Sequence, residues 1–507
     1  MNRLIKNMIV GLAAAAMLLS CDLNLYPTTA VVYDENQPMI QSESDADQYL
    51  MGVLASYRSL QYGSFTQSIE VMLDGFNATS GFGNNYGSIH RLDVSFSASD
   101  DYVESMWGSH YLAIKNYNIA IEQTETGKIP EELEEYVSLL RGVSLFCRAS
   151  SYLTLARIFG PDYDPETAET DLCVPLVLKY EQYAKPLRAT VQEVYDQIRN
   201  DLGEAEFLLE DISGEAGAMM PTIDAVQALF ARYYLDVEDY ESAWNAAAGL
   251  ADSDTYALAS TPSEMDTEWT YDSGTEPIIQ LFATMAEGVV ANPLYTNVSS
   301  EPKDGMYYTP YFIPTKKLVD AYDDTDLRKD SWFDAPKIKM NGSFYNEKKD
   351  TKVFIKYLHN PNLSSSNIPT GAHAAKPLLI SEMYLIAAEA YAMDGKPVMA
   401  RTYLNKLQRA RGAVQTSGDK ENIKKEWFRE TVGEGLRLSC IKRWGDGVDA
   451  RTPQTAALTN NLIMVEPVSA YTERPLDADS HLLNWPVPTY EIRINPGLVQ
   501  NDGYGIK

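Results

Sequence analysis

Apolar residues recur every three or four positions along residues 381–395 and again along residues 398–411, which is the spacing of one face of an α-helix. Gly395 suits the left-handed conformation that ends many helices, and Pro397 suits the first turn of the next helix. The pattern predicts two antiparallel helices joined by a tight turn. It also predicts a third helix over residues 427–445, whose glutamates and arginines can pair at helical spacing.

The same spacing predicts further pairs of helices in the first half of the chain, with a capping box at Thr190 and Glu193. The alanine-rich residues 239–250 resemble the second helix of a tetratricopeptide repeat, in which small residues pack between paired helices. The predicted hairpins are about four, near residues 45–125, 130–210, 225–251 and 377–411. This number predicts an all-α core built by stacking of hairpins.

The helical spacing is lost over residues 74–99, which we predict to be a loop, and over residues 256–375, which are rich in Pro, Gly and aromatic side chains. Such a long aperiodic stretch is uncommon inside a compact domain, so we predict a folded, loop-rich insertion with a few short strands, such as residues 352–358. The predicted parts are a signal peptide (1–20), an extended tether (21–40), an N-terminal helical region (41–255), the insertion (256–375), and a C-terminal helical region with its tail (376–507).

The N-terminus carries the features of an export signal. Arg3 and Lys6 precede an apolar run at residues 9–19, which is too short to span a bilayer as a mature helix. The run leads into Leu-Leu-Ser and then Cys21, which looks like a bacterial lipobox with lipidation of the cysteine thiol. The alternative is an ordinary signal peptide followed by an unrelated cysteine. We predict a soluble body held at a membrane by a lipid anchor.

The formal net charge of −29 argues against a nucleic-acid partner, which needs a basic surface, and against adsorption to an anionic membrane. The charge is spread unevenly. Residues 201–276 hold 18 Asp and Glu but one Arg, whereas residues 396–443 hold 12 Lys and Arg against 5 Asp and Glu. We expect the basic segment to pack against acidic neighbours, with an electrostatic docking surface as the alternative.

The chain lacks the common signatures of catalytic and metal centres: it has no H-E-x-x-H, G-x-x-x-x-G-K-[ST], G-x-S-x-G or C-x-x-C motif, and its 5 histidines are scattered. We therefore predict no catalytic residues, no cofactor and no metal site, although a glycosidase pair of carboxylates would leave no spacing signature. The alternative of a calcium site rests on the acidic residues 322–328, which lack the Gly and Glu of an EF-hand loop. We expect Cys147, Cys173 and Cys440 to be buried small side chains, with at most one disulfide among them.

The aperiodic stretches have the composition of a sugar-binding surface. Residues 81–86 and 306–312 combine aromatic and polar side chains, and Trp332 lies in the same insertion. Aromatic faces pack against the C–H surface of a sugar, while polar side chains around them bind its hydroxyls. The alternative is that these aromatic rings are packing residues of the loops.

In order along the chain, these features resemble the SusD/RagB family of outer-membrane nutrient-binding lipoproteins of Bacteroidetes. The resemblance covers nearly the full length. The motifs that carry it are Cys21, W-G-S-H-Y-L-A-I-K-N-Y-N at 107–118, R-A-S-S-Y-L-T-L-A-R-I-F-G at 148–160, A-A-E-A-Y at 387–391, R-E at 429–430, E-G-L-R at 434–437, R-W-G at 443–445, W-P-V-P at 485–488 and Q-N-D-G-Y at 500–504.

The resemblance implies an all-α core of four tetratricopeptide-like hairpins in a right-handed superhelix, with a loop-rich ligand face and no catalytic role. It also implies capture of an oligosaccharide or polysaccharide at the cell exterior and delivery to a SusC-like TonB-dependent transporter in the outer membrane. The family's ligand-binding residues carry over by location only, near residues 74–86 and 295–332. The candidates at these locations are Asp74, Phe82, Asn84, Asn85, Tyr86, Tyr295, Tyr307, Tyr308 and Trp332.

Three alternatives remain open beside glycan capture. The ligand could be a peptide or another nutrient, the protein could be a structural lid that binds no substrate itself, or an enzyme could be hidden among the carboxylates. The charged residues of 377–445 are expected to join helices, and the aromatic loops are expected to form the working surface.

Overall fold

The computed structural model of the protein describes residues 39–93, 95–125, 129–287, 295, 297–345, 349–455 and 475–505. Cys21, the predicted signal peptide and most of the predicted tether lie outside these residues. The α-helices are α1 (Glu43–Ser59), α2 (Ser64–Met72), α3 (Gly87–Arg91), α4 (Asp101–Glu125), α5 (Glu134–Phe159), α6 (Val191–Leu208), α7 (Ile223–Asp236), α8 (Tyr240–Ala251), α9 (Pro262–Trp269), α10 (Lys316–Asp320), α11 (Leu327–Ser331), α12 (Ile380–Met393), α13 (Pro397–Ala410), α14 (Lys420–Glu430), α15 (Arg437–Trp444) and α16 (Thr489–Ile494).

The strands are short and form small separate sheets. They are β1 (Phe76–Ala78), β2 (Leu172–Pro175), β3 (Arg188–Thr190), β4 (Pro277–Ile279), β5 (Val298–Glu301), β6 (Gly305–Tyr308), β7 (Phe312–Pro314), β8 (Phe333–Asp334), β9 (Ile338–Met340), β10 (Ser343–Tyr345), β11 (Val353–Phe354) and β12 (Leu378–Leu379). The largest sheet has the order β10-β9-β6-β5, and its β6–β9 pair is parallel. The pairs β1–β7, β8–β11, β4–β12 and β2–β3 are antiparallel.

The helices stack as successive antiparallel pairs. Helix α4 packs on α5 and α1, α5 packs on α6, α7 packs on α8, and α12 packs on both α8 and α13. These pairs correspond to the four predicted hairpins, and they confirm an all-α core of the tetratricopeptide type. Small buried side chains such as Ala247 of α8 and Ala387 of α12 let the helix axes approach closely, as the alanine-rich pattern predicts.

The predicted helix ends are also confirmed. The Thr190 hydroxyl accepts a hydrogen bond from the Glu193 backbone N–H at 3.2 Å, and the Glu193 carboxylate accepts one from the Thr190 N–H at 2.8 Å. This reciprocal pair satisfies two N–H groups at the start of α6. Gly395 has a φ of 69°, which ends α12, and Pro397 is the first residue of α13.

The prediction of one continuous helix over residues 427–445 is wrong. Helix α14 ends at Glu430 and α15 starts at Arg437, with Gly433 (φ 85°) and Gly435 (φ 76°) between them. A Cβ atom on Gly433 would lie 2.8 Å from the Tyr357 ring, so the turn also needs glycine for space. The apolar and charged spacing continues across the break, which is why periodicity alone missed it.

The predictions for the aperiodic stretches need smaller corrections. Residues 74–99 contain β1 and α3 and are therefore not only a loop, because Phe76–Ala78 pairs with Phe312–Pro314 of the insertion. The predicted strand over residues 352–358 is limited to Val353–Phe354. The insertion packs around a second apolar cluster that includes Phe76, Phe312 and Trp332. Cys147, Cys173 and Cys440 are buried and free, so none of the three forms a disulfide with another.

Buried ion pairs join the insertion to the C-terminal helices. The residues that form them are Glu276, Arg328, Arg411, Glu426 and Glu430, and we call this group the arginine core. Arg411 donates all of its five N–H groups: to Glu276 at 2.6 and 2.8 Å, to Glu430 at 2.5 and 3.2 Å, and to the Ala259 carbonyl at 2.8 Å. Arg328 lies 2.7 Å from both Glu430 and Glu426. The Arg411–Glu276 pair confirms that the basic segment packs against the acidic one.

Candidate functional site

A cleft of about 120 Å³ opens between the helical core and the insertion. Half-buried aromatic rings line it from two sides: Tyr62 and Phe65 come from the α1–α2 connection and the start of α2, and Tyr357 and His373 come from the insertion. The Tyr357 and His373 rings lie against each other, with centroids 4.6 Å apart. We call this depression the cleft.

The turn between α14 and α15 closes one end of the cleft. Gly433 and Gly435 hold the backbone in the left-handed region on both sides of Glu434, and all three residues line the cleft. A side chain on Gly435 would meet the Thr66 backbone at 3.2 Å, so the glycine lets α2 approach the turn. The break in the predicted helix therefore places Glu434 at the site.

Two buried polar atoms in the cleft wall find no hydrogen-bond partner among the residues that the structure describes. They are Nε2 of Gln67 and the hydroxyl of Tyr295, and each of these two residues is only 4% exposed. The Gln67 amide is held in place on its other side, because the Tyr86 hydroxyl donates to its Oε1 at 3.1 Å. Leaving buried donors unpaired is costly, and both atoms are covered in this structure, with less than 1 Å² of each exposed.

Two buried carboxyl groups, those of Glu70 and Glu434, lie close to these atoms. Glu434 accepts a hydrogen bond from Lys356 Nζ at 2.6 Å, and Glu70 accepts one from the Gly435 backbone N–H at 2.8 Å. Burial, together with the neighbouring Glu434, raises the pKa of Glu70 to about 7 against the opposing effect of its backbone hydrogen bonds. Burial likewise raises the pKa of Glu434 to about 7 against the opposing effect of Lys356. The pair therefore titrates near neutral pH.

The cationic side chains that line the cleft are each paired with a carboxylate. Arg232 donates to both oxygens of Glu382, at 2.7 and 2.5 Å. Arg157 donates to both oxygens of Asp236, at 2.6 and 2.9 Å. Lys376 bonds to Asp272. These cations hold the walls of the cleft together and have little charge left to offer a ligand.

Of the predicted ligand residues, Tyr295 and Tyr86 lie at the cleft. Tyr295 lines it, and Tyr86 reaches it through its hydrogen bond to Gln67. Burial raises the pKa of Tyr295 well above its usual value, and the carboxyl of Glu70 adds to this effect. Asn84 is exposed and Asn85 is half-buried on the loop that leads to Tyr86.

The structure places the other predicted residues elsewhere. Asp74 is fully buried. Burial acts to raise its pKa, but its partners Arg437 and Lys317 prevail and hold the pKa well below its usual range. Phe82 packs edge-on against Phe312 within the second apolar cluster.

The remaining three predicted residues are also mostly buried. Trp332 is fully buried, with Lys356 Nζ 4.0 Å from its ring centroid. Tyr307 and Tyr308 lie on β6, 6% and 7% exposed, and the Tyr307 hydroxyl donates to Glu301 at 2.7 Å. These contacts are those of packing residues, with most of each ring covered by the protein itself.

Sequence reasoning missed the side chains that line most of the cleft: Tyr62, Phe65, Gln67, Tyr357, His373 and Glu434. They come from separate segments that the stacking of hairpins brings together, and only Glu434 belongs to a local motif, E-G-L-R at 434–437. One signal was available, since a Gly-Glu-Gly triplet inside a helical pattern favours a turn over a helix.

Within the described parts of the chain, no group of three or more His, Cys, Asp or Glu side chains is arranged to hold a metal ion. None of the described helices combines the length and the apolar composition needed to cross a bilayer.

Two family models match the chain. One, the SusD family, matches residues 232–504, and the other, a SusD-like family described as starch-binding and associating with the outer membrane, matches residues 29–235. The chain belongs to the SusD family.

Individual relatives are distant in sequence. The SusD-like protein P2 of Formosa agariphila is 23% identical over 453 residues, which cover 81% of this chain and 84% of the relative. A SusD superfamily structure from Bacteroides thetaiotaomicron has a TM-score of 0.74 at 23% identity and covers 91% of this chain and 99% of its own. Surface glycan-binding protein A from Bacteroides fluxus has a TM-score of 0.65 at 20% identity, with coverages of 90% and 99%. At these identities the structural likeness shows the fold.

Proposed function

We propose that this protein captures a carbohydrate in the cleft, outside the outer membrane, and delivers it to a SusC-like TonB-dependent transporter without catalysing a reaction. A lipid on Cys21 anchors it to the membrane in this proposal. Membership of the SusD family supports the proposal, as do the description of a matching family as starch-binding and the name of the glycan-binding relative.

One observation carries the choice of the cleft as the site. Half-buried aromatic rings line the same cleft as Gln67 and Tyr295, whose Nε2 and hydroxyl lack a partner among the described residues. A sugar offers apolar C–H faces to the rings and hydroxyl groups to such atoms. We include Tyr86 in the site because it orients Gln67, and we place Asn84 and Asn85 on the adjoining loop as contacts for an extended ligand.

Calorimetry with the folded, lipid-free protein tests this proposal against a panel of oligosaccharides, polysaccharides and peptides. We expect binding to at least one glycan and at least tenfold weaker binding by Tyr62→Ala. Tyr183→Ala is the control, since Tyr183 is 86% exposed and lies on the segment between β2 and β3. Binding of peptides alone would favour another nutrient, and binding of no probe would favour a structural lid.

A glycosidase is the second candidate function, because Glu70 and Glu434 are two carboxyl groups of raised pKa beside the cleft. Both carboxyls, however, already bond to groups of the protein, Glu70 to the Gly435 N–H and Glu434 to Lys356. We expect no release of reducing ends when the purified protein is incubated with a glycan that it binds. Release that is lost in Glu434→Gln would establish an enzyme instead.

A further inference from the structure

The charge balance of the cleft favours one class of ligand over another. Arg157, Arg232 and Lys376 are the cations that line it, and each is bonded to a carboxylate of its own. Withdrawing any of them to bind an anionic ligand would leave that carboxylate without its partner. Such a carboxylate is costly to leave unpaired in a buried position, so these cations are poor anion receptors.

The Glu434 carboxylate lines the cleft, and the Glu70 carboxylate lies beside the turn that closes it. Of these two carboxylates Lys356 bonds to Glu434, and its ammonium lies 4.2 and 4.0 Å from the ring centroids of Trp269 and Trp332. When both carboxyls are ionised, this group carries a net charge of −1. A negative charge on a ligand in the cleft would therefore meet a repulsive field in a partly dry setting.

The unpartnered atoms of the cleft are neutral. Gln67 Nε2 donates hydrogen bonds, and the Tyr295 hydroxyl can donate or accept one. Sugar hydroxyl groups suit both atoms and can also donate to the Glu434 carboxylate, which lines the cleft with 12% of its side chain exposed. A sulfate or uronate group offers acceptors only, so it cannot donate to that carboxylate.

We propose that the cleft selects an uncharged sugar and rejects uronates and sulfated sugars, with Glu434 as the residue that sets this selectivity. The proposal rests on the glycan-binding function proposed above. It names Glu434 because this carboxylate lines the cleft and because its turn is fixed by Gly433 and Gly435.

The experiment measures binding by calorimetry at pH 8, where Glu434 is ionised. The neutral probes are malto-, cello-, xylo- and manno-oligosaccharides. The acidic probes are polygalacturonate, chondroitin sulfate, and each neutral glycan that binds, after its primary hydroxyls have been oxidised to carboxylates. We expect a neutral glycan to bind and its oxidised form to bind at least tenfold more weakly. Where the bound glycan has no primary hydroxyl, the acidic polymers provide the comparison.

Two variants test the role of the carboxyls. Glu434→Gln is expected to reduce the discrimination against the acidic probes at least threefold, and Glu70→Gln provides a second variant whose amide can keep the bond to the Gly435 N–H. Glu421→Gln is the control, since its side chain is 74% exposed and the substitution changes the net charge equally. Each variant is first checked for a cooperative thermal transition.

The outcomes separate the selectivity from the function. Acidic probes that bind as tightly as neutral ones would overturn the selectivity while supporting glycan capture. The selectivity would also be overturned if Glu434→Gln and Glu70→Gln both discriminated against the acidic probes as strongly as Glu421→Gln does. Binding of no glycan would contradict the proposed function and the selectivity that rests on it.

Discussion

The arginine core and the cleft are both polar, buried regions between the insertion and the C-terminal helices, yet they differ in how fully their groups are partnered. Arg411 uses all five of its N–H groups, and its carboxylate partners Glu276 and Glu430 are at most 1% exposed. In the cleft, Gln67 and Tyr295 each keep one polar atom without a partner in the described chain. The hydrogen bonds of Arg411 are complete without a ligand, and those of the cleft wall are not.

Unpartnered buried atoms also occur elsewhere in the described chain, for example in His110 and Trp427, so their position in the wall of a cleft is what gives those of Gln67 and Tyr295 their meaning. A buried donor without a partner costs free energy, whereas one with a full set of partners specifies how the elements fit together. The arginine core thus joins the insertion to the helices, and the cleft retains unmet hydrogen bonds that a ligand can make. Substitutions in the two regions are therefore expected to have opposite signatures in stability and in binding.

The largest effect is expected from Arg411→Met, which leaves Glu276 and Glu430 buried without their main counterion. We expect the free energy of unfolding to fall by about 3 to 5 kcal/mol, measured by urea denaturation. Arg409→Met, at an exposed position two residues earlier in the last turn of α13, is the control, with an expected change of about 0.5 kcal/mol or less. Equal effects of the two substitutions would show that the arginine core is not a structural centre.

Arg437→Ala is expected to have a smaller effect. Arg437 donates to both oxygens of Asp74, at 3.1 and 2.9 Å, but Asp74 keeps Lys317 at 2.7 Å when the arginine is removed. We expect a loss of about 2 kcal/mol in the free energy of unfolding. Glycan affinity of the folded protein is expected to stay unchanged, and a selective loss of affinity with unchanged melting would assign Arg437 to the site instead.

Glu70→Gln tests the cleft through the pH dependence of stability. The native pKa of about 7 lies above the usual 4.5, so the folded state binds more protons between these values. The free energy of unfolding of the parent protein therefore falls as pH rises from about 4.5 to about 7, and the penalty remains at higher pH. From pH 5 to pH 8, we expect the free energy of unfolding of Glu70→Gln to rise by about 1 kcal/mol relative to that of the parent protein. The difference is smaller than the full pKa shift would give, because Glu434 titrates in the same range.

Urea denaturation of the parent and the variant at the two pH values measures this gain. Glu421→Gln, at an exposed position on α14, is the control for a change in net charge. If the free energies of unfolding of Glu70→Gln and the parent differ by the same amount at both pH values, that result would contradict the raised pKa of Glu70.

Most of the helical core was predictable from the sequence because its signals are local. Apolar spacing located the hairpins, and residues such as Thr190, Glu193 and Gly395 marked helix ends. The failure over residues 427–445 came from Gly433 and Gly435, whose left-handed backbone overrides a spacing that continues through them. Short strands such as Val353–Phe354 are fixed by their partners rather than by their own sequence, so they were placed less well.

The site was less predictable than the fold. Aromatic side chains in aperiodic segments indicated a ligand face, but Trp332 and Phe82 are buried in the insertion's own apolar cluster. Composition does not tell an exposed ring from a packed one, because both occur in loops. Gln67 and Glu434 stand in helical patterns and become neighbours of Tyr295 only through tertiary packing.

The most direct test compares two buried tyrosines. The Tyr295 hydroxyl has no partner in the described chain, whereas the Tyr322 hydroxyl donates to the Arg429 carbonyl at 2.7 Å, away from the cleft. Tyr295→Phe is expected to leave the melting temperature unchanged or slightly raised, and to weaken glycan binding by about 1 kcal/mol, roughly fivefold. Tyr322→Phe is expected to lower the melting temperature and leave binding unchanged. Tyr295→Phe with full affinity and lowered stability would contradict the assignment of the cleft as the binding site.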